Sequence, residues 1–270
     1  WCPGCGNFLV LKAIKDALKE LFEEGVVRPE NVVISSGIGC HGKIVDYINV
    51  NSFYSIHGRV PPTITGIKLA NPQLTVIGFA GDGDAYAEGI SHLIHAAKRN
   101  ADVTMIIHNN QVFALTTGQF TPTTPRGAKT KSSPEGNPEE PLNPIATMLI
   151  SGATFVARGF AGEPEHLKEL MKKAIKHKGF AFVDVLQPCV TFNNTFQFFR
   201  ERVYKLEETG HDTSDFKKAL EKALEWGEKI PIGVFYQTRK PTFEEIILKE
   251  KVPVLEKPAI TIKRVLEEYV

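Results

Sequence analysis

The sequence has few of the features that mark membrane, secreted or nucleic-acid-binding proteins. Among its 270 residues, 32 Lys and Arg are balanced by 31 Asp and Glu. The resulting net charge of +1 excludes a globally basic nucleic-acid binder and an acidic solvating chain. No apolar run approaches the roughly 20 residues that span a bilayer, and no basic-then-apolar signal segment opens the chain. We therefore expect a soluble, cytoplasmic protein.

Cysteine is also scarce, with only four residues in the chain. That number is too small for a secreted scaffold held together by disulfides. The cysteines stand at positions 2, 5, 40 and 189, a placement that favours a reducing compartment and a metal or redox role. The sequence begins at Trp1 rather than Met, so we expect further residues upstream of it.

Apolar periodicity predicts an α/β fold in which a parallel sheet is flanked by helices. Helices are predicted at 7–25, 61–71, 85–98, 164–177 and 215–226, the last one capped by Ser214. Strands are predicted at 31–36, 74–80, 103–108, 154–157, 180–185 and 230–236. We divide the chain into one α/β domain, 1–212, and a C-terminal extension, 213–270. The extension is expected to pack on the domain or on a partner subunit.

The periodicity is lost between Asn109 and Asn143, where five prolines fall among Thr, Ser, Gly and Lys residues. A loop of this length inside a compact domain is typical of an active-site cover or a partner surface. A plain surface insertion is the alternative interpretation.

Polar residues follow two of the predicted strands where each strand ends. Gly81-Asp82-Gly83-Asp84 follows the strand at 74–80, and Asn109-Asn110 follows the strand at 103–108. Parallel strands end at a common sheet edge, where ligands of such sheets bind. The carboxylate of Asp82, the amide oxygen of Asn110 and a backbone carbonyl suit a Mg²⁺ ion that keeps its other positions for diphosphate oxygens. A lone Gly-Asp-Gly is otherwise an ordinary turn.

The cysteines form a second group of candidate ligands. Cys2 and Cys5 have the C-x-x-C spacing that lets two thiolates reach one metal, and Cys40 and Cys189 each follow a predicted strand. Four thiolates hold either tetrahedral Zn²⁺ or a [4Fe–4S] cluster. A thioredoxin-like dithiol with two buried bystanders is a third possibility.

Ordered motifs over the whole chain resemble a known family. Gly-Asp-Gly followed by Asn-Asn is similar to the thiamine diphosphate signature. The further segments are W-C-P-G-C-G at 1–6, S-G-I-G-C at 36–40, I-H-G-R at 56–59, L-T-T-G-Q at 115–119, Q-P-C at 187–189 and I-P-I-G-V-F-Y-Q at 230–237. Together they resemble the β (small) subunit of 2-oxoacid:ferredoxin oxidoreductases, most closely the archaeal two-subunit type.

The resemblance implies a role for each matching residue. The [4Fe–4S] ligands would be Cys2, Cys5, Cys40 and Cys189. Mg²⁺ would be held by the side chains of Asp82 and Asn110 and by the carbonyl of Val112. Thiamine diphosphate would meet Ile38, Gly39, Cys40, His41, Gly83, Asp84, Ala114 and Leu115. Lys43 would contact the 2-oxoacid carboxylate; the alternative is an ordinary solvated lysine. His57 would be an active-site imidazole; the alternative is a structural histidine.

Two residues depart from the family pattern as we expect it, and both affect substrate choice. Thr117 stands where members often carry a basic residue, and His41 stands where they often carry a small one. Elsewhere, we interpret His92 and His95 as packing or surface residues, and His108 as the interior end of a strand.

The implied reaction is the coenzyme A-dependent oxidative decarboxylation of a 2-oxoacid, of the pyruvate or 2-oxoglutarate class. Its products would be acyl-CoA, CO₂ and reduced ferredoxin, with electrons passing from thiamine diphosphate through the cluster. The implied partner is an α subunit that carries the pyrimidine-binding domain and the activating glutamate. Two alternatives are a zinc-stapled phosphate-binding module without catalysis and a lipoamide-linked thiamine diphosphate dehydrogenase component.

Overall fold

The structure is a computed structural model that describes residues 1–256 and 266–267. Within these residues, one eight-stranded sheet carries helices on both faces. The α/β fold expected from the sequence is thereby confirmed. No helix in the described ranges is long and apolar enough to cross a membrane.

The elements alternate along the chain as the apolar periodicity predicts. The strands are β1 (Val32–Ser36), β2 (Asn51–Tyr54), β3 (Thr75–Gly81), β4 (Thr104–Asn109), β5 (Phe155–Phe160), β6 (Ala181–Leu186), β7 (Val203–Lys205) and β8 (Ile230–Gln237). The helices are α1 (Asn7–Glu23), α2 (Val60–Ala70), α3 (Ile90–Arg99), α4 (Pro144–Ile150), α5 (Pro164–Lys176), α6 (Phe196–Arg200), α7 (Phe216–Leu224) and α8 (Phe243–Leu248). A single π-helical turn, Asp84–Glu88, precedes α3.

The strand order is β2-β1-β3-β4-β6-β5-β8-β7, and the pairing is parallel except between β5 and β8. From β1 the chain first adds β2 on one side and then returns to place β3 on the other. This reversal opens a crevice at the carboxyl ends of β1 and β3, where ligands of open parallel sheets bind. The loops after β1, β3, β4 and β6 therefore emerge along the same edge.

Two apolar layers cover the sheet. The helices α1 and α5 pack on one face, and their buried side chains form a continuous core with β1, β3 and β6. The helices α2, α3, α4 and α7 cover the other face. Both faces of the central strands are buried, which explains why β3, β4 and β6 are nearly continuous apolar runs without polar alternation.

Each predicted helix and strand has a counterpart in the structure, but one predicted cap is wrong and several elements were not predicted. Asp215, not Ser214, caps α7, because its carboxylate accepts hydrogen bonds from the backbone N–H groups of Lys217 and Lys218. Five of the helices and strands named above were not predicted from the sequence. They are β2, whose four residues are all exposed at the sheet edge, and the short elements α4, α6, β7 and α8.

The predicted extension contributes to the sheet itself. The strand β8 lies between β5 and β7, and α7 packs against α4. Residues 257–265 and 268–270 of the extension lie outside the described residues. The division at residue 212 and the contact of this segment with a partner stay predictions.

The close approach of α2 to β3 requires glycine at position 78. A Cβ atom there would lie 2.6 Å from Met105 Sδ and 2.7 Å from Val60 Cγ1. We expect Gly78→Ala to lower the free energy of unfolding by about 1–3 kcal/mol through overpacking. Gly66→Ala is the matched control, because nothing lies within 4 Å of a Cβ at that exposed helical position. Its expected effect is a gain of about 0.5–1 kcal/mol. Urea unfolding checks both, and equal stability of the two variants would contradict the prediction.

Candidate active site

A narrow cavity of about 70 Å³ opens at the carboxyl edge of the sheet, between the loops that follow β1, β3 and β4. Twelve of the predicted site residues line it: Ile38, Gly39, Cys40, His41, His57, Asp82, Gly83, Asp84, Asn110, Val112, Ala114 and Leu115. The parallel arrangement of the strands brings these residues together, although they are distributed between positions 38 and 115 of the sequence.

Lys43 is not among the residues that line this cavity. Its side chain is 59% exposed, and its Nζ lies 2.8 Å from Asp46 Oδ2. The same carboxylate oxygen accepts a hydrogen bond from the hydroxyl of Tyr54 at 2.9 Å. Contact of Lys43 with a substrate stays a prediction, and it requires the lysine to leave Asp46.

Asp82 is a buried carboxylate whose partners are neutral hydroxyls. Its Oδ2 accepts hydrogen bonds from Thr121 Oγ1 at 2.5 Å and from Thr123 Oγ1 at 2.8 Å. Burial raises the pKa of Asp82 to about 6, although both threonines act to lower it. Among the described residues, no cation pairs with this carboxylate. A cation bound here would supply the missing compensation.

Asn110 and Val112 belong to the turn after β4, and they lie beside Asp82, which follows β3. The Asn110 side-chain oxygen accepts a hydrogen bond from the backbone N–H of Val112 at 3.1 Å, which fixes the turn. Both residues line the cavity with Asp82. One carboxylate, one amide oxygen and the backbone carbonyls of the turn form an oxygen donor set of the type that Mg²⁺ prefers.

The Asp84 carboxylate has different surroundings, although it is only two residues away. It accepts a hydrogen bond from the backbone N–H of Gly58 at 2.5 Å. His41 Nε2 lies 3.3 Å from one of its oxygens, and His57 Nδ1 lies 3.2 Å from the other. Two imidazoles therefore face the Asp84 carboxylate at the wall of the cavity, although neither makes a hydrogen bond to it. Glu88 Oε2, at 3.1 Å, is a second acceptor facing His57 Nδ1.

Two glycines allow the backbone to border the cavity closely. Gly39 has φ +149°, a conformation that L side chains rarely adopt. A Cβ atom on Gly83 would lie 2.2 Å from the ring of Phe113. Gly83 also directly precedes the π-helical turn and α3, whose first backbone N–H groups favour anions. This cradle fits the diphosphate of the cofactor that the sequence predicts.

Some residues of the site were not recognised in the sequence. His108 lines the cavity, its Nδ1 lies 2.7 Å from Asn7 Oδ1, and burial lowers its pKa well below the usual range. Its position directly before Asn109-Asn110 was the available signal. Thr121 and Thr123 lie in the irregular loop, where no periodicity indicates which side chains turn inward. Their contact with Asp82 is visible only in the folded chain.

All four cysteines line a second cavity of about 70 Å³, and Cys40 lines both cavities. Burial, followed by the neighbouring thiols of Cys189, Cys5 and Cys2, raises the pKa of Cys40 to about 11. The indole of Trp1 donates a hydrogen bond to the backbone oxygen of Cys40 at 2.5 Å. The turn that carries Cys189 is closed by paired backbone hydrogen bonds with Asn193.

In the part of the chain that the structure describes, no three His, Cys, Asp or Glu side chains are arranged as an ion site. All four cysteines are free thiols. Their thiols nevertheless face a common space, and the pKa values of Cys5 and Cys40 are raised by burial and by repulsion from the neighbouring thiolates. A positively charged metal centre would stabilise the thiolates and so lower these pKa values. The donor set therefore fits a Cys₄ metal site or cluster.

Two known families match consecutive parts of the chain, from residue 37 to residue 251. Residues 37–185 match the family described as thiamine pyrophosphate enzyme, C-terminal TPP binding domain. Residues 189–251 match the family that describes the C-terminal part of the pyruvate ferredoxin oxidoreductase beta subunit. The first match contains the cavity at the sheet edge, and the second begins at Cys189.

Several relatives are similar over most of their length. The 2-oxoacid:ferredoxin oxidoreductase subunit beta of Saccharolobus solfataricus is 46% identical, over 96% of this chain and 88% of that protein. Subunit beta of 2-oxoacid:ferredoxin oxidoreductase 1 from Aeropyrum pernix is 48% identical, over 91% of this chain and 80% of that protein. A 2-oxoglutarate synthase subunit of Archaeoglobus fulgidus is 38% identical over 92% of this chain and 87% of that protein.

A solved structure has the same fold. It is the 2-oxoglutarate:ferredoxin oxidoreductase from Magnetococcus marinus with 2-oxoglutarate, coenzyme A and succinyl-CoA bound. The similarity has a TM-score of 0.90 at 35% sequence identity and covers 99% of this chain and 91% of that one.

The burial of Asp82 predicts a pH dependence of stability. A carboxyl group with a pKa of about 6 in the folded chain and about 3.9 in the unfolded chain binds its proton more tightly when folded. Without added metal, stability should therefore fall as pH rises from 4 to 6, by about 3 kcal/mol in total from this group. Asp82→Asn should lack this contribution. Urea unfolding of both proteins at several pH values measures it, and parallel curves would contradict the prediction.

Proposed function

Because this chain belongs to the β subunits of the 2-oxoacid:ferredoxin oxidoreductases, we propose that it takes part in coenzyme A-dependent oxidative decarboxylation. The substrate is a 2-oxoacid of the pyruvate or 2-oxoglutarate class, and the products are acyl-CoA, CO₂ and reduced ferredoxin. The observation that carries this proposal is the position of Cys40, which lines both the cavity at the sheet edge and the cavity of the four thiols. A decarboxylation site and an electron acceptor would therefore be adjacent.

The chain contributes a thiamine diphosphate-binding domain. When bound, this cofactor supplies the electron sink for breaking the bond between the keto carbon and the carboxylate. We propose that Asp82, Asn110 and the carbonyl of Val112 hold the Mg²⁺ ion. The segment Ile38–His41 and the residues Gly83, Asp84, Ala114 and Leu115 would border the cofactor. The Asp84 carboxylate would act there through its proximity to His41 and His57, since its own charge repels a diphosphate.

His57 is the residue of this chain that we propose to handle a proton. Its Nδ1 faces the carboxylates of Asp84 and Glu88, which favours the tautomer with a proton on Nδ1. Nε2 is then left as the acceptor atom. The side chain is 35% exposed at the cavity, so solvent protons can reach it.

Lys43 is proposed to bind the substrate carboxylate after it releases Asp46. An exposed ion pair contributes little because solvent screens it, so exchanging Asp46 for a substrate carboxylate costs little. Unlike the residues that line the cavity, Lys43 must change its side-chain conformation to take this role.

The four cysteines are proposed to hold a [4Fe–4S] cluster, which supplies a one-electron acceptor of low potential. Zinc would fit the same thiolates but cannot accept electrons. Membership of an oxidoreductase family argues against a zinc-stapled module without catalysis. A lipoamide-linked dehydrogenase component would leave the common cavity of the four thiols unexplained.

A β subunit implies an α subunit as its partner. We propose that the α subunit brings the pyrimidine-binding domain and the activating glutamate, and that the loop 109–143 and the C-terminal extension contact it. Exposed apolar side chains near the cavity support a protein partner on this side, with Ile38 42%, Ile56 71% and Leu115 58% exposed. Adjacent apolar groups left in solvent are typical of interaction surfaces.

The cluster proposal predicts that one variant loses the iron–sulfur cluster and a second variant loses the binding of Mg²⁺ and thiamine diphosphate. Cys189→Ser should lose most of the iron, acid-labile sulfide and brown colour, while Mg²⁺-dependent thiamine diphosphate binding is kept. Asp82→Asn should keep the iron and lose most of that binding, because the site then has only neutral oxygen donors to compete with the hydration shell of Mg²⁺. Metal analysis and calorimetry of anaerobically purified complexes measure both. Full iron content in Cys189→Ser, or stoichiometric zinc in the wild type, would contradict the proposal.

The partner proposal predicts that this chain is inactive by itself. Reduction of a viologen dye that depends on both 2-oxoacid and coenzyme A should appear only when the α subunit is added to the reconstituted chain. The iron content of the isolated chain provides the control for correct cluster loading. Turnover by the isolated chain at the rate of the complex would show that no activating group is missing from it.

A further inference from the structure

A larger cavity borders the loop 109–143, and none of the four cysteines lines it. Its volume is about 180 Å³, against about 70 Å³ for the cavity at the sheet edge. It is bordered by the loop, by the start of α4, by β5 and β6, and by Trp226. Cavities of about 150 Å³ in other proteins accommodate a benzene ring. This one therefore has room for a small organic molecule.

The cavity wall contains a buried arginine, Arg158, whose guanidinium lacks some of its hydrogen bonds. Arg158 lies on β5, is 1% exposed, and its Nε makes no hydrogen bond in the described structure. Its nearest carboxylate oxygen, Asp184 Oδ2, is 3.8 Å from Nε, too far for a hydrogen bond. Within the described residues, the guanidinium makes only a 3.3 Å bond from Nη1 to the carbonyl of Pro231. It lies over the rings of Trp226 and Phe235, with its carbon 5.1 and 5.3 Å from their centroids.

Asp184 makes no hydrogen bond to Arg158, because its carboxylate is oriented by hydrogen bonds from other donors. Its Oδ1 accepts hydrogen bonds from the hydroxyl of Tyr86 at 2.7 Å and from Asn109 Nδ2 at 3.1 Å. Thr123 Oγ1 in turn donates to Asn109 Oδ1 at 2.9 Å. This network fixes the polar side of the cavity before any ligand enters, as a preformed binding site requires.

The charges and the wall together restrict the ligand. A carboxylate can accept two hydrogen bonds from a guanidinium edge, which would satisfy the buried donor. The negative charge of Asp184 partly neutralises Arg158, so a monoanion is favoured over a phosphate dianion. Prolines 125, 141 and 144 and Leu142 supply apolar walls, and Trp226, 46% exposed, offers a flat ring surface.

We propose that this cavity binds a small monocarboxylate with a flat apolar body, whose carboxylate pairs with Arg158 and whose body packs on Trp226. The site is separate from the cavity at the sheet edge, and it does not depend on the function proposed above.

The test uses benzoate as the probe, with the neutral benzyl alcohol as the comparison, on the assembled complex. Ligand-observed NMR titration should show saturable benzoate binding, and benzyl alcohol should bind at least about tenfold more weakly because it lacks the charge. Trp226→Ala should weaken benzoate binding about tenfold through lost ring contact. Phe216→Ala is the matched control, since Phe216 is an exposed aromatic residue that does not line the cavity.

A second variant tests the charge. Arg158→Met combined with Asp184→Asn removes both buried charges together, so neither is left unpaired, and it should abolish saturable benzoate binding. Three results would each overturn the proposal: no saturable binding to the wild-type complex, equal binding of benzyl alcohol, or benzoate affinity unchanged by Trp226→Ala. Absence of saturable benzoate binding to the wild-type complex would mean that the cavity binds water and no carboxylate.

Discussion

The site depends on one constraint, which is the common edge formed by parallel strands in near register. Gly81 pairs with His108 across β3 and β4, and Asn109 pairs with Leu186 across β4 and β6. The residues that follow these strands are therefore neighbours in space, although β3 and β6 are far apart in the sequence. The two cavities at this edge share Cys40 because both are built on the same row of strand ends.

Two carboxylates at this edge show how surroundings determine chemical role. Asp82 is surrounded by neutral threonine hydroxyls, so its charge is left for a cation to balance. Asp84 accepts a hydrogen bond from a backbone N–H group and faces two imidazoles, so its neighbours are groups of the protein itself. Both carboxylates are buried, and the difference lies in which groups face them. One turn thus provides a metal ligand candidate and a support for histidines.

The loop 109–143 is a structural part of the site as well as a candidate partner surface. Thr121 and Thr123 reach Asp82 from it, and Asn137 Nδ2 donates to the carbonyl of Thr124 at 2.9 Å. Thr123 also contacts Asn109, which borders the larger cavity beside Arg158. The loop therefore contributes to the walls of two cavities with different chemistry, and a few hydroxyls connect these walls.

The sequence by itself determined the fold class, the family and the residues at the strand ends. Strand and helix periods are local properties, and the resemblance, now confirmed by relatives at 46–48% identity, depends on short ordered motifs. The sequence could not indicate that Asp84 turns toward His41 and His57, that Lys43 lies outside the cavity, or that Thr121 and Thr123 approach Asp82. These contacts join residues from separate loops, whose directions follow from packing and not from periodicity. Only the tertiary structure placed Arg158 at the wall of a cavity, because a charge inside an apolar strand acquires its partners, or lacks them, from elements distant in the chain.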